Sequence, residues 1–186
     1  MKRLRPAYTD AELAAMYAQP HDHTTWHEHR HRVASTIAFG VMAAPEVLTI
    51  ADLSCGDAAI PEGIANHIPM NTKLLTLGDY APGYEHTGPL EQTIHDIDRV
   101  DLFICSETLE HLDDPRLALD LIRDKANLLL LSTPLDEPDD SNPQHYWSWG
   151  KDDIAGLLEL SGWEPSGYYA ELHYPNCHGF QIWLAK

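Results

Sequence analysis

The sequence predicts an α/β protein built on a mostly parallel sheet with helices on both faces. Three observations carry this. Apolar runs of strand length, VLTIADLS (47–54), KLLTLGD (73–79), VDLFICSE (100–107) and NLLLLSTP (127–134), alternate with helical segments. The runs are apolar at consecutive positions rather than at every second one, as in strands buried on both faces. The conspicuous polar residues cluster at the ends of these runs, and ligands bind beyond the carboxyl ends of the strands in open parallel sheets.

Each element has its own signal. TDAELAAMYA (9–18) opens on Thr9 or Asp10 as N-cap and reads as a short helix that Pro20 ends. A second helix runs from about Thr24 to Ala43, and Pro45 closes it. Strand one (47–54) leads through a glycine-containing turn into the helix PEGIANHI, with Pro61 suited to its first turn. Strand two is 73–79, TIHDI (93–97) reads as a weak third strand, and 100–107 as a strong fourth. Asp113 and Asp114 cap a helix over 115–126, and strand five follows over 127–134. A further helix spans Asp152 to Ser161, stopped by Gly162. EPSGYYAELHY and HGFQIWLA complete the chain as two strands joined by a Pro-Asn turn.

Bulk properties narrow the functions. With 186 residues the chain is expected to be a single domain with a full core. Its 12 basic against 29 acidic residues give no cationic stripe for a nucleic-acid backbone or an anionic membrane. Cys55, Cys105 and Cys177 are too widely spaced for a disulfide framework or a zinc motif, which implies reduced thiols in a cytoplasmic setting. Neither a signal core after the basic Met1–Arg5 stretch nor an apolar run of membrane-spanning length is present, the longest being Leu128 to Leu131 and its neighbours.

Candidate site residues follow the strands. In DLSCGDA (52–58), Gly56 lets backbone N–H groups approach a ligand at the start of a helix. The turn lacks the glycine triplet of dinucleotide folds, and no GxxxxGK[ST] loop exists to hold a triphosphate. Asp79 stands 23 residues after Gly56, where an acidic side chain accepts both hydroxyls of a ribose; GDYAPG is also turn-like, so a capping role is the alternative.

IADLSCGDAAI, LTLGDYAPG, HDIDRVDLFICSETLEHLDDP, LLLLSTP and LLELSGW follow one another as do the motifs of class I S-adenosylmethionine-dependent methyltransferases. Residues 45–186 resemble the small-molecule and O-methyltransferase branch of that family, and 1–44 then form an N-terminal helical lid segment. The resemblance implies a Rossmann-like, doubly wound seven-stranded sheet with an antiparallel last strand. It places Ser54, Cys55, Gly56 and Asp57 against the methionine part of the cofactor. Asp79 and Tyr80 would hold the ribose, Asp96 and Ile97 the adenine, and Ser106 would lie near the reacting methyl. Two positions depart from the pattern: Ser54 and Ala58 stand where the family carries glycines.

Glu107, Glu110 and His111 form E-x-x-E-H, and His145 follows in NPQHYWSW (142–149). This resembles metal-dependent 2′-O-methyltransferases of small-RNA 3′ ends, in which two glutamates and two histidines hold a divalent cation. Such a donor set suits Mn, Fe, Co or Zn better than Mg. A metal-free reading is that Glu110 and His111 shape the strand–helix junction, with His111 or His145 as general base. HDHTTWHEHRH (21–31) places His23, His27 and His31 one helical turn apart, yet reads as a solvated or substrate-facing helix with Trp26, His29 and Arg32 as lid residues. Tyr146, Trp147 and Trp149 are equally suited to a substrate pocket or to core packing, and Trp163, Tyr168 and Tyr169 to packing.

The expectation is an S-adenosylmethionine-dependent methyltransferase acting on a hydroxyl of a small-molecule acceptor, as a monomer or homodimer. The alternatives are methylation of an RNA 3′ end and a cofactor-binding interaction subunit without catalysis.

Overall fold

A computed structural model describes residues 1–22, 29–43, 47–68, 74–136, 140, 142–171 and 179–186. The chain opens with strand β1 (Lys2–Arg3) and helices α1 (Asp10–Met16) and α2 (His29–Ala43). β2 (Thr49–Asp52), α3 (Ala59–His67), β3 (Leu74–Asp79) and β4 (His86–Thr87) come next. α4 (Leu90–Thr93) continues into a 3₁₀ turn, Ile94–Asp96, before β5 (Val100–Ser106). A second 3₁₀ turn, Leu109–His111, precedes α5 (Pro115–Lys125) and β6 (Ala126–Leu135). β7 (Trp147–Ser148), α6 (Lys151–Leu160), β8 (Pro165–Glu171) and β9 (Gly179–Ala185) complete the chain.

Seven strands form one sheet in the order β4-β3-β2-β5-β6-β9-β8. All run parallel except β9, which pairs antiparallel with both β6 and β8. This is a Rossmann-like sheet with its last strand reversed, as expected. β2 lies between β3 and β5, so the direction of winding changes there and a crevice opens at the carboxyl edge of the sheet.

Alternation along the strands separates two cores. Phe103, Cys105, Leu129 and Leu131 face one layer, with Leu119 and Ile122 of α5 and Ile154 and Leu158 of α6. Leu102, Ile104 and Leu130 face the other, with Ile60 and Ile64 of α3 and Val33, Ile37 and Val41 of α2. Glycines let α2 come close. A Cβ on Gly40 would meet Ile64 at 2.6 Å and Leu130 at 2.9 Å. Thr9 caps α1 through a capping box with Glu12, and Asp114 caps α5 by accepting from Leu117 N. Among the described residues no helix is long and apolar enough to cross a membrane.

The expected third strand, 93–97, is not one. Leu90, Ile94 and Ile97 are buried while His95 and Asp96 are exposed, a helical spacing that closes as α4 and its 3₁₀ extension. The third strand of the sheet is the two-residue β4, paired to β3 through Gly78↔His86 and Asp79↔Thr87. A second departure is the small antiparallel pair β1–β7, which ties the N-terminus to the segment after β6. The Pro-Asn turn, Pro45 and the start of the predicted second helix lie outside the described residues.

Candidate active site

The carboxyl edge of the sheet carries two adjoining groups of polar side chains. The first is built on β2 and β3. Gly56, with φ at 57°, turns the chain so that its N–H donates to Asp79 Oδ2 at 2.8 Å. Asp79 Oδ1 accepts from Ala81 N at 2.9 Å, and Tyr84 Oη donates to the Gly56 carbonyl at 2.7 Å. Ser54 N and Oγ both donate to the buried Asp52, whose pKa burial raises to about 7, with the Asp79 charge pushing the same way. Burial also pushes the Cys55 thiol up to about 12, so it is no nucleophile at neutral pH; its backbone N–H donates to Gly78 O. Asp57 accepts from Ala59 N at the entrance to α3. Tyr80 packs its ring against Tyr17, at the C-terminal end of α1, with centroids 5.4 Å apart. Ser54, Cys55, Gly56, Asp57, Asp79 and Tyr80 are thus gathered on one side.

Asp96 and Ile97 are not brought to this edge. Their turn leads into the amino end of β5, and Lys125, at the far end of α5, donates to the Ile97 carbonyl at 2.6 Å. The strand order explains the displacement: β4 ends at Thr87, ten residues before Ile97, and α4 carries the chain back along the sheet.

The second group lies over β5 and β6. Arg32 of α2, 1% exposed, donates through Nη1 to Ser106 Oγ at 2.9 Å. Ser106 Oγ is 2.7 Å from Ser132 Oγ, which donates to Glu107 Oε1 at 2.9 Å. Ser54 Oγ and Thr108 Oγ1, 2.7 Å apart, join the two groups. Glu107 has a left-handed backbone, with φ of 51°. Ala58 at 61° and Asp136 at 53° share that conformation, so each of β2, β5 and β6 is followed by a strained non-glycine residue at the crevice.

Glu110 is fully buried. Thr133 Oγ1 donates to its Oε2 at 3.0 Å, while Oε1 has no hydrogen-bond partner. Burial, then the nearby Glu107, pushes its pKa well above the usual carboxylate range. His111 Nδ1 lies 3.2 Å from the Gln144 carbonyl and 3.1 Å from Tyr17 Oη. A carbonyl only accepts, so Nδ1 carries the proton and Nε2 presents its lone pair, 3.9 Å from Glu110 Oε1. Burial, and then His145, push the His111 pKa down to about 3, leaving the ring neutral. His145 pairs through Nδ1 with Asp140, its Nε2 accepts from Asn142 Nδ2 at 3.0 Å, and its ring stands edge-on to His111 at 4.8 Å.

Of the four E-x-x-E-H…H residues, three converge. Among the described residues Glu110, His111 and His145 place one ligand atom each within 4.8 Å of the others, and Glu107 stays outside, turned onto Ser132. Asp140, Tyr17 and Tyr84 belong to the site without having been singled out in the sequence. Asp140 ends the acidic stretch DEPDD (136–140), which carries no ligand spacing, and the two tyrosines carry no spacing signal. Tyr146 and Trp149 of the aromatic run pack, Tyr146 against Tyr8 and Trp149 with its Nε1 donating to Thr133 Oγ1, while the half-buried Trp147 lines a surface cavity beside Arg3 and Asp113. His23, Trp26 and His27 lie outside the described residues.

No family model matches the sequence, and no curated protein matches it. Solved structures do. A Burkholderia thailandensis 1,6-didemethyltoxoflavin-N1-methyltransferase, with 1,6-didemethyltoxoflavin and S-adenosylhomocysteine bound, is similar at 14% identity and a TM-score of 0.69 over 97% of this chain and 91% of that one. The N-methyltransferase NodS of Bradyrhizobium japonicum WM9 matches at 16% identity and TM-score 0.66, over 85% and 95%. The magnesium protoporphyrin IX methyltransferase of Synechocystis PCC 6803, with S-adenosylmethionine bound, matches at 16% identity and TM-score 0.63, over 85% and 79%. The chain has the Rossmann-like fold of these methyltransferases.

Proposed function

We propose that the protein transfers the methyl group of S-adenosylmethionine to a hydroxyl of a small-molecule acceptor, with a divalent cation at Glu110, His111 and His145. One observation carries the cofactor half: the Gly56–Asp79 hydrogen bond, which sets a glycine turn and a carboxylate side by side at the switch point of the sheet. Two structural neighbours hold S-adenosylmethionine or S-adenosylhomocysteine in the same fold. Asp79 keeps lone pairs for ribose hydroxyls, the Ser54–Asp57 turn would face the methionine part, and Ser106 would lie near the methyl. Residues 1–44 would act as a lid, since Tyr17 touches Tyr80 on one side of the crevice and His111 on the other.

The donor set supports the cation. Glu110 Oε1 is buried with no partner, and the neutral His111 points its Nε2 lone pair toward it. On joining, His145 would give up its bond from Asn142 and keep Asp140 as the group that orients its ring. One carboxylate and two imidazoles suit Mn, Fe, Co or Zn, and a bound cation would lower the pKa of a coordinated hydroxyl. Without it, His145 is better placed than His111 as base, because Asp140 holds its ring in a fixed orientation. Methyl transfer otherwise needs mainly alignment, since the sulfonium is already electrophilic.

The test is calorimetric titration of S-adenosylmethionine and of Mn into chelator-stripped protein. Cofactor binding, with a separate Mn signal that Glu110→Ala abolishes, is the expected result. Absence of cofactor binding would remove the methyltransferase reading. Cofactor binding without any Mn signal would leave His145 as base.

A further inference from the structure

Among the described residues Arg32 is a buried cation without a counter-charge in contact, although Glu110 lies near enough to feel its charge. Its side chain projects from α2, and among the described residues no carboxylate lies within ion-pair distance of it. The nearest acidic group along its hydrogen bonds is Glu107, reached through two hydroxyls, Ser106 and Ser132. Among the described residues, Nη1 is satisfied by Ser106, Nη2 meets only His29 Nδ1 at 3.3 Å, and Nε has no partner. Nε and Nη2 form the edge of the guanidinium that grips a carboxylate with two parallel hydrogen bonds, and here that edge is almost unused. Burying a cation in this state is costly unless a ligand completes it.

The position of the group says which ligand. The guanidinium stands over the Phe180 ring at 5.6 Å and on Ser106. Ser106 ends β5, and Phe180 pairs with Pro134 of β6, so Arg32 covers the β5–β6–β9 part of the edge. The Gly56–Asp79 group lies over β2 and β3. We propose that Arg32 receives a carboxylate, or an equivalent planar oxyanion, carried by the methyl acceptor. This names the substrate class of the site and rests on the methyltransferase reading. The other source of the same chemistry is the carboxylate of the cofactor's methionine part.

The test uses benzoate and its neutral isostere benzamide on the full chain, with and without S-adenosylhomocysteine. The readout is the ¹⁵N–¹H resonance of Arg32 Nε, identified by its loss in Arg32→Gln. The expected result is that benzoate moves this resonance and benzamide does not. Arg32→Gln should weaken benzoate binding at least about tenfold, as loss of a charge-assisted pair does. Its affinity for S-adenosylhomocysteine should fall by less than its affinity for benzoate, any loss passing through the hydrogen bond from Arg32 to Ser106. Arg32→Lys, which keeps the charge and loses the fork, should fall between.

Two results would overturn the proposal. In one, S-adenosylhomocysteine alone moves the resonance, and Arg32→Gln weakens it while sparing methylthioadenosine, which lacks the carboxylate. In the other, benzoate and benzamide act alike. Should Arg32→Gln fail to melt as a folded protein, the wild-type resonance and Arg32→Lys still decide. Should S-adenosylhomocysteine not bind at all, the methyltransferase reading fails, and the benzoate arm on the free protein decides separately whether Arg32 takes an anion.

Discussion

The two halves of the crevice are finished to different degrees. On the β2–β3 side both Asp79 oxygens, the Gly56 carbonyl and the Cys55 amide are paired within the chain. On the β5–β6 side Glu110 Oε1 and Arg32 Nε are buried with nothing to bond. Most buried polar groups in folded proteins are satisfied, so the placing of two of the three orphans among the described residues on this side marks a missing partner; the third, Ser161 Oγ, lies at the end of α6. The comparison teaches that the β2–β3 half is a cradle shaped before any ligand arrives, made largely of backbone, while the β5–β6 half depends on ligands for its completion.

The largest expected effect tests how the first half is held. Asp52 is buried, and that burial pushes its pKa from the ordinary 3.8 up to about 7. A carboxyl whose folded pKa is raised contributes fully when both states are protonated, below about 3.8. The contribution falls as the pH climbs from there to about 7, because the unfolded chain ionises first, and is flat beyond. The loss is on the order of 4 kcal/mol. Asp52→Asn stays neutral and still accepts from Ser54. Its stability relative to the wild type, from urea melts, should therefore rise by that order between pH 4 and pH 8. A difference independent of pH would mean that Asp52 is solvated and that the cradle is looser than described.

Asp79→Ala comes next. The Gly56 and Ala81 amides lose their acceptor and the turn loses its anchor. Two hydrogen bonds to a charged group imply roughly a hundredfold weaker S-adenosylhomocysteine binding by calorimetry. The Mn signal, which belongs to the other half, should change little. Loss of both together would show that the halves are one cooperative unit, coupled through Ser54 and Thr108.

Much of this fold can be read from the sequence, for reasons that differ by element. β2, β5 and β6 are buried on both faces, so their apolar runs are continuous and unmistakable, while the half-buried β3 keeps an apolar run of its own. β4 has two residues and is specified by its partner Gly78, where a Cβ would meet the His86 carbonyl at 2.6 Å; nothing local announces it. Ile94 and Ile97 suggested a strand only when the helical spacing from Leu90 went unused. Tight turns such as Gly56 and Asp79 are legible because backbone geometry demands particular residue types. Which long polar side chains turn inward is not, since the E-x-x-E-H spacing marks Glu110 as a ligand without fixing its burial, and a lid position for Arg32 does not say that it is enclosed. Their burial follows from neighbours far along the chain, Ser106 for one and Thr133 for the other.

The smallest effect concerns the strain at the rim. Ala58 sits at φ 61° and ψ 14°, before α3, without a side-chain cap. An L-residue there is disfavoured by about 1 kcal/mol relative to glycine. Ala58→Gly removes the Cβ that causes it, at the cost of a freer unfolded chain, so the net gain is at most about 1 kcal/mol, or roughly 2–4 °C in Tm. Affinity for S-adenosylhomocysteine should hold, because the Gly56 and Cys55 backbone bonds that shape the turn do not involve this side chain. A fall in Tm would show that the Ala58 methyl, buried in the structure, packs well enough to outweigh the strain. A fall in affinity with unchanged Tm would mean that the β2–β3 cradle needs the stiffness alanine gives it, and that its readiness for the ligand is maintained by strain as well as by hydrogen bonds.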